Sequence, residues 1–262
     1  MIGCEYISTG DRLPGCHADI VNVRNVLTKQ YGYLNENITV LADDTWLSNT
    51  SPTMINILRA FRDFVEVIKS KSATHAVFYY SGHGTQTKDL SGDEVDGEDE
   101  AMVPLDYRTK GVIPDDLIRK ELWEKLSGTS LVQLTAIFDC CNSGTMMDLP
   151  YMYNYPQKIE RLAKVKLSNN DQLQQQQQPL ILCISGCKDP QTSASAYNLE
   201  RRNEWQGAMS WSIRQIMATK KAVSVKNFID SLRKILNQHK FTQVPQLTLS
   251  REIDLNDTIV LF

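Results

Sequence analysis

The chain has 262 residues, of which 42% are hydrophobic and 23% charged; this is ordinary globular usage with enough apolar material for a sizeable core, so wholesale disorder is excluded. Lys and Arg total 28 against 31 Asp and Glu, and a net charge of −3 leaves no electrostatic footprint for nucleic acid or an anionic membrane. No apolar run approaches the ~18–20 residues of a membrane span. Met1 to Glu5 also lacks the basic and apolar stretches of a signal peptide, so a monomer in the cytoplasm or nucleus is expected.

Ile2 to Tyr6 opens the chain as a strand. Asp19 to Tyr31 places Ile20, Val23, Val26 and Leu27 on one helical face and stops at Gly32. Ile38 to Ala42 is a short strand. Ser51 as N-cap and Pro52 at the first helical position start a helix lined by Met54, Ile55, Leu58, Phe61, Val65 and Ile68. His75 to Ser81 reads as a continuous buried strand, followed by Gly82-His83-Gly84 and an acidic loop from Asp89 to Glu100. Pro114-Asp115-Asp116 opens a helix through Leu126, with carboxylates at its positive end. Leu131 to Phe138 is another buried strand, ending at Asp139.

After Pro150 the periodicity stops. Tyr151 to Pro179, with Lys158, Arg161, Lys164, Lys166 and a glutamine run from Gln174 to Gln178, reads as an exposed polar linker. Leu180 to Ser185 is then a strand, Gly207 to Ala218 a helix, and Val225 to Leu236 a second amphipathic helix. Leu247 to Leu249 and Thr258 to Phe262 are closing strands. Strands spaced by helices imply an α/β fold with a mainly parallel sheet covered on both faces.

The six cysteines, without a secretion signal, do not suggest a disulfide framework. Most read as small buried hydrophobes, Cys183 above all. A zinc site from the Cys140–Cys141 and Cys183–Cys187 pairs is disfavoured, because neither pair has knuckle spacing.

In an open α/β sheet, sites form outside the carboxyl ends of the strands. Two strands end in chemically loaded loops, Tyr80-Ser81-Gly82-His83-Gly84 and Asp139-Cys140-Cys141-Asn142-Ser143-Gly144. A thiol at its free pKa of ~8.5 is only a few per cent thiolate at neutral pH, so a nucleophilic cysteine needs an adjacent imidazole. The glycines beside His83 allow close backbone approach, and the Gly84 N–H is a candidate oxyanion donor.

These two loops, with Asp148-Leu149-Pro150, closely resemble those of type I metacaspases, caspase-like cysteine peptidases. The resemblance extends through Leu13-Pro14-Gly15-Cys16 to Asp19, Pro104-Leu105-Asp106, Ile184 to Asp189, Gln191 to Ala194, Gly207 to Trp211 and Pro245 to Leu247. It implies a caspase-like three-layer α/β/α sandwich forming one domain: a large catalytic region over 1–155, a Gln-rich linker over 156–179 and a small region over 180–262. Carried over, His83 is the general acid/base, Cys141 the nucleophile, and Cys140 a packing residue. Gly84 and Cys141 supply the oxyanion N–H groups. Asp19, Ser81 and Asp139 line a pocket for Arg or Lys, where a carboxylate can hold a cation through charge-assisted bonds.

The acidic loop does not fit an EF-hand, since carboxylates are missing at its end positions. The resemblance instead implies a Ca²⁺ site at Asp99, Asp115, Asp116 and Asp148, hard oxygen donors that suit calcium over zinc. Asn142 stands where the family usually has His, and the sequence read alone gives the expectation of a first strand short at its start with no prodomain before it. The expected function is therefore a calcium-dependent endopeptidase acting on protein and peptide substrates after Arg or Lys, with self-processing in the linker. The alternative is a catalytically weak caspase-fold scaffold, which a measured turnover would exclude.

Overall fold

The computed structural model describes residues 1–92, 97–129, 132–141, 143–154, 158–162, 178–186, 195–197, 205–219, 223–256 and 258–259. Its spine is three parallel strands, β3 (His75–Ser81), β7 (Gln133–Asp139) and β10 (Leu180–Ser185), with β3 and β10 each hydrogen-bonded to β7. These are the continuous apolar runs of the sequence, and such runs suit strands buried on both faces. Outside β3 lie β1 (Ile2–Gly3) and β2 (Leu41–Ala42), both parallel. Beyond β10 the sheet turns antiparallel through β14 (Gln246–Leu249), β8 (Tyr151–Asn154) and β9 (Lys158–Arg161).

Alternation along the strands feeds two cores. On one face Phe78, Tyr80, Ala136, Phe138 and Cys183 pack with Phe61, Val65, Ile118 and Leu122. These come from α2 (Met54–Ser70), α4 (Asp115–Ile118) and the π-helical turn Arg119–Glu124 that continues it. On the other face Tyr79, Ile137, Leu182 and Ile184 meet Ile20, Val23, Ile213 and Phe228. Those belong to α1 (Cys16–Tyr31), α5 (Ala208–Thr219) and α6 (Val225–Gln238). The result is the expected three-layer α/β/α sandwich. Among the described residues no helix is long and apolar enough to cross a membrane.

Several sequence expectations are corrected. Helix α1 begins at Cys16, three residues early, behind Gly15 at a positive φ of 111°. Helix α2 begins at Met54, not Pro52, and its buried stripe takes Ile57 and leaves Ile55 exposed, because spacing of three and four from Phe61 selects 57 and 58. The stretch after Pro150 is not all linker: β8 and β9 form a hairpin on the sheet edge, with Tyr151 and Tyr153 buried. The remaining linker positions from 163 to 177 lie outside the described residues, as does Asn142. Strand β1 ends at Gly3, and Tyr6 turns the chain away with φ 53°.

The end of the acidic loop, from Glu98 to Glu100, belongs to a second sheet. Strand β4 (Gly84–Lys88) pairs with β5 (Glu98–Met102), which pairs with β6 (Ile113–Pro114). Asp99 and Glu100 are therefore buried on β5 rather than solvated. Two short ladders complete the structure, β11 (Ser195–Tyr197) with β12 (Trp205–Gly207) and β13 (Val223–Ser224) with β15 (Thr258–Ile259). The last strand thus ends its described part at Ile259 and pairs outside the main sheet.

Candidate functional site

The carboxyl ends of β3 and β7 lie side by side, with Ser81 opposite Asp139 in register. His83 follows β3 by two residues and Cys141 follows β7 by two. Their loops are pressed together: a Cβ on Gly84 would fall 2.0 Å from the Cys141 carbonyl oxygen and 3.1 Å from Cys140 Sγ. Only a glycine permits that approach. Cys140 is fully buried, whereas Cys141 is partly exposed, so only the second thiol of the pair is open to a substrate.

The imidazole of His83 is held on several sides. Its Nε2 lies 2.8 Å from the Asp11 carbonyl oxygen, which can only accept, so Nε2 carries a proton and, in the neutral tautomer this selects, Nδ1 has the lone pair. Its ring packs 4.7 Å from the Tyr6 ring. Its backbone N–H donates to the Tyr6 hydroxyl at 3.0 Å, and its carbonyl accepts from Tyr80 Oη at 2.6 Å.

Asp19, Ser81 and Asp139 converge where α1 and α5 meet the same strand ends. Ser81 Oγ donates to Asp19 Oδ2 at 3.1 Å. The Gly207 N–H donates to Asp19 Oδ1 at 2.9 Å, while Ser210 donates to Asp139 Oδ2 through its hydroxyl at 2.8 Å and its N–H at 3.1 Å. A Cβ on Gly207 would sit 2.4 Å from Asp139 Oδ2 and 2.8 Å from Asp19 Oδ2, so the bare glycine leaves room for the two carboxylates to converge. Burial and the nearby Asp139 push the Asp19 carboxyl up to about 8. Gly207 and Ser210 are functional candidates that the residue assignments missed, although the Gly207 to Trp211 motif contains both. Cys16, buried against Ser81 and Asp19, also belongs to this wall, with its thiol pushed well up by burial.

A second group of carboxyls lies at the β5–α4 corner. Asp115 and Asp148 are both buried, and the β5–β6 register, continued by one pair, brings Glu100 opposite Asp115. The Glu100 N–H donates to Asp115 Oδ2 at 3.2 Å, and Thr145 Oγ1 donates to Glu100 Oε2 at 2.5 Å. Burial first, then Asp148 and Glu100, push the Asp115 carboxyl up to about 11. Asp99 and Asp116 flank these residues, and Asp148 adopts a positive φ of 46°. Glu100 was not foreseen as a member. In kind, buried oxygen donors with excess negative charge fit a hard cation. In position, no group of three or more His, Cys, Asp or Glu side chains among the described residues is gathered so as to hold a metal ion.

A thiol and an imidazole at the strand ends of a three-layer sandwich, beside a two-carboxylate pocket, define a caspase-like class of protein. Comparison makes the class specific. The metacaspase, peptidase C14 domain family matches residues 1–150. Metacaspase-1 of Schizosaccharomyces pombe is 31% identical over 300 aligned positions, which span all of this chain and 69% of that protein. Metacaspase-1 of Kluyveromyces lactis is 35% identical, over 98% of this chain and 66% of that one. Metacaspase-1B of Neurospora crassa is 34% identical, over 100% and 68%. A solved protein from Geobacter sulfurreducens shares the fold with a TM-score of 0.57 at 20% identity, over 97% of this chain and 92% of that one. The chain belongs to the metacaspase family of cysteine peptidases, and it spans about two thirds of the length of these curated relatives.

Proposed function

We propose that the chain is an endopeptidase that cleaves proteins after Arg or Lys, with Cys141 as nucleophile and His83 as general acid/base. His83 Nδ1 takes the thiol proton, Cys141 Sγ bonds to the scissile carbonyl carbon, and His83 returns the proton to the leaving amine. Water then hydrolyses the acyl-enzyme, with His83 as its base. The N–H groups of Gly84 and Cys141 stabilise the oxyanion.

The observation that carries the specificity is the convergence of Asp19 and Asp139 on Gly207. Two desolvated carboxylates repel each other, and a guanidinium or ammonium group relieves both. Asp, by contrast, would add a third negative charge to the same pocket. Asp99, Asp115, Asp116 and Asp148, with Glu100, would hold Ca²⁺ once drawn inward, and the ion would supply charge compensation that ties β5, α4 and the loop after Cys141 together. Self-processing is assigned to Lys164 or Lys166, since Lys158 and Arg161 are backbone-paired in β9.

A peptide panel varied at the residue before the cut, with calcium and with chelator, tests the reading. Cleavage after Arg and Lys, dependent on calcium, lost in Cys141→Ala and retained in Cys140→Ala, is expected. Efficient cleavage after Asp overturns the specificity, and full activity in chelator overturns the calcium claim.

A further inference from the structure

The segment between β1 and α1 reaches the His83 imidazole at two points, the Tyr6 ring and the Asp11 carbonyl. That segment is exposed at Asp11 and has no strand or helix of its own to fix it. A carbonyl on such a segment orients an imidazole only if something else holds the segment still. Within the segment the Asp11 N–H donates to Thr9 Oγ1 at 3.2 Å and the Leu13 N–H to the Glu5 carbonyl at 3.0 Å; the hold on the Asp11 side chain comes from α3 (Tyr107–Lys110). Arg108 Nη2 donates to Asp11 Oδ2 at 2.7 Å, and the Tyr107 hydroxyl donates to the same oxygen. Arg108 Nε donates in turn to Tyr107 Oη at 3.0 Å, and its guanidinium lies 5.7 Å from the Tyr107 ring centroid.

The same tyrosine supports the face of the imidazole. Tyr107 meets Tyr6 edge-on at 6.4 Å, and Tyr6 is the ring that packs on His83. Tyr6 is itself pinned by its hydroxyl, which donates to the Val103 carbonyl at 2.6 Å. Helix α3 thus acts on His83 by two routes, through Asp11 to Nε2 and through Tyr6 to the ring face. As a contribution to folding, an exposed ion pair such as Asp11–Arg108 counts for little, because water screens it. Its effect on geometry is not screened in that way.

We propose that Tyr107 and Arg108 are positioning residues of the peptidase reaction, clamping the Asp11 carboxylate so that the Asp11 carbonyl keeps the His83 ring aimed with its proton on Nε2. This rests on the reading of His83 as the base of Cys141. With the clamp gone, the carbonyl swings and the imidazole samples other rotamers and the wrong tautomer. Ångström-scale misplacement of a catalytic group is costly, and here the substrate pocket is untouched.

The test uses the full chain as Asp11→Ala, Tyr107→Phe, Arg108→Ala and Arg108→Lys, with His83→Ala as reference. For each, kcat and KM on an Arg peptide are measured, with the pH dependence of Cys141 alkylation by iodoacetamide in the absence of substrate. Asp11→Ala keeps the carbonyl and loses only the anchor, so it isolates the clamp. Asp11→Ala and Arg108→Ala should lower kcat roughly tenfold with KM within about twofold, shift the alkylation midpoint upward and leave the melting temperature unchanged. Arg108→Lys should recover part of the loss. Wild-type kcat and alkylation in Asp11→Ala and Arg108→Ala, while His83→Ala alters both, overturns the clamp and leaves the dyad standing. A loss of kcat that only follows a lowered melting temperature, with alkylation unmoved, also overturns it. If His83→Ala leaves the alkylation profile unmoved, the dyad reading fails first and the clamp falls with it.

Discussion

Asp19 and Asp139 are far apart in sequence and share one small space with Gly207, and that proximity gives the site a pH signature. With burial and Asp139 raising its carboxyl to about 8 from an ordinary 3.8, Asp19 shares a proton with Asp139 at neutral pH. If the pair receives a substrate cation as proposed, that cation displaces the proton, and binding should strengthen as pH rises toward about 8. The expected kcat/KM for Arg peptides climbs by up to roughly tenfold per pH unit on that limb, and Asp19→Asn should flatten it. A limb unchanged in Asp19→Asn would assign it to another group. The same shift acts on stability with a definite sign. Between about 4 and about 8 the native state binds the proton and the unfolded chain does not, so this contribution falls as pH rises through that window. Urea midpoints of wild type and Asp19→Asn should therefore differ in slope there. Asp19, Ser81 and Asp139 were legible from motifs at strand and helix ends. The donors that set their chemistry, Gly207 and Ser210, were not assigned, because only the folded chain brings residue 207 to residue 19.

Helix α2 shows what local sequence can and cannot specify at the level of an element. Its apolar periodicity is plain, and so is its polar N-terminal neighbourhood. Its cap is not the expected Ser51. Thr53 occupies the cap position, yet its hydroxyl is buried without a hydrogen-bond partner, and the Met54 N–H donates instead to Asp106 Oδ1 at 2.8 Å. The adjoining Leu105 N–H donates to the Pro52 carbonyl at 2.9 Å, which fixes the Asp106 turn against the helix start. A cap from a distant turn leaves no trace in the helix's own residues. Asp106→Ala should cost about 1 kcal/mol, the usual range of a lost N-cap, read as a lower urea midpoint with unchanged m-value. Because Asp106 immediately precedes Tyr107, a larger loss of activity than of stability would show that the turn also serves the α3 clamp. The hairpin β8–β9 was missed for the converse reason. Lys158, Glu160 and Arg161 have the composition of a solvated segment, and only pairing with β8 makes a strand of them, at an edge where charged residues are tolerated.

For the whole molecule, the order of the strands matters more than their number. The main sheet runs β2-β1-β3-β7-β10-β14-β8-β9, so the two strands that follow the linker, β10 and β14, are inserted between β7 and β8, which precede it. A division into a large region before the linker and a small one after it describes the chain but not the sheet. Neither piece can leave without breaking ladders on both sides: β10 pairs with β7 from Leu180 to Ser185, and β14 pairs with β8 through Thr248 and Leu249. The proposed specificity pocket is split likewise, with Asp139 before the linker and Ser210 after it. A cut after Lys164 or Lys166 therefore leaves every described ladder of the main sheet intact. The cut protein should elute as one particle at native pH, keep its Arg-peptide activity, and separate into two fragments only in denaturant. The cut removes the roughly 2–3 kcal/mol that closing about 17 residues costs the intact chain and replaces it with the larger, concentration-dependent cost of bringing two fragments together. It also makes unfolding bimolecular, so the melting temperature of the cut form should fall with dilution while that of the intact chain does not. Fragments that part under native conditions would mean that the interleaved ladders do not hold, and with them the shared pocket.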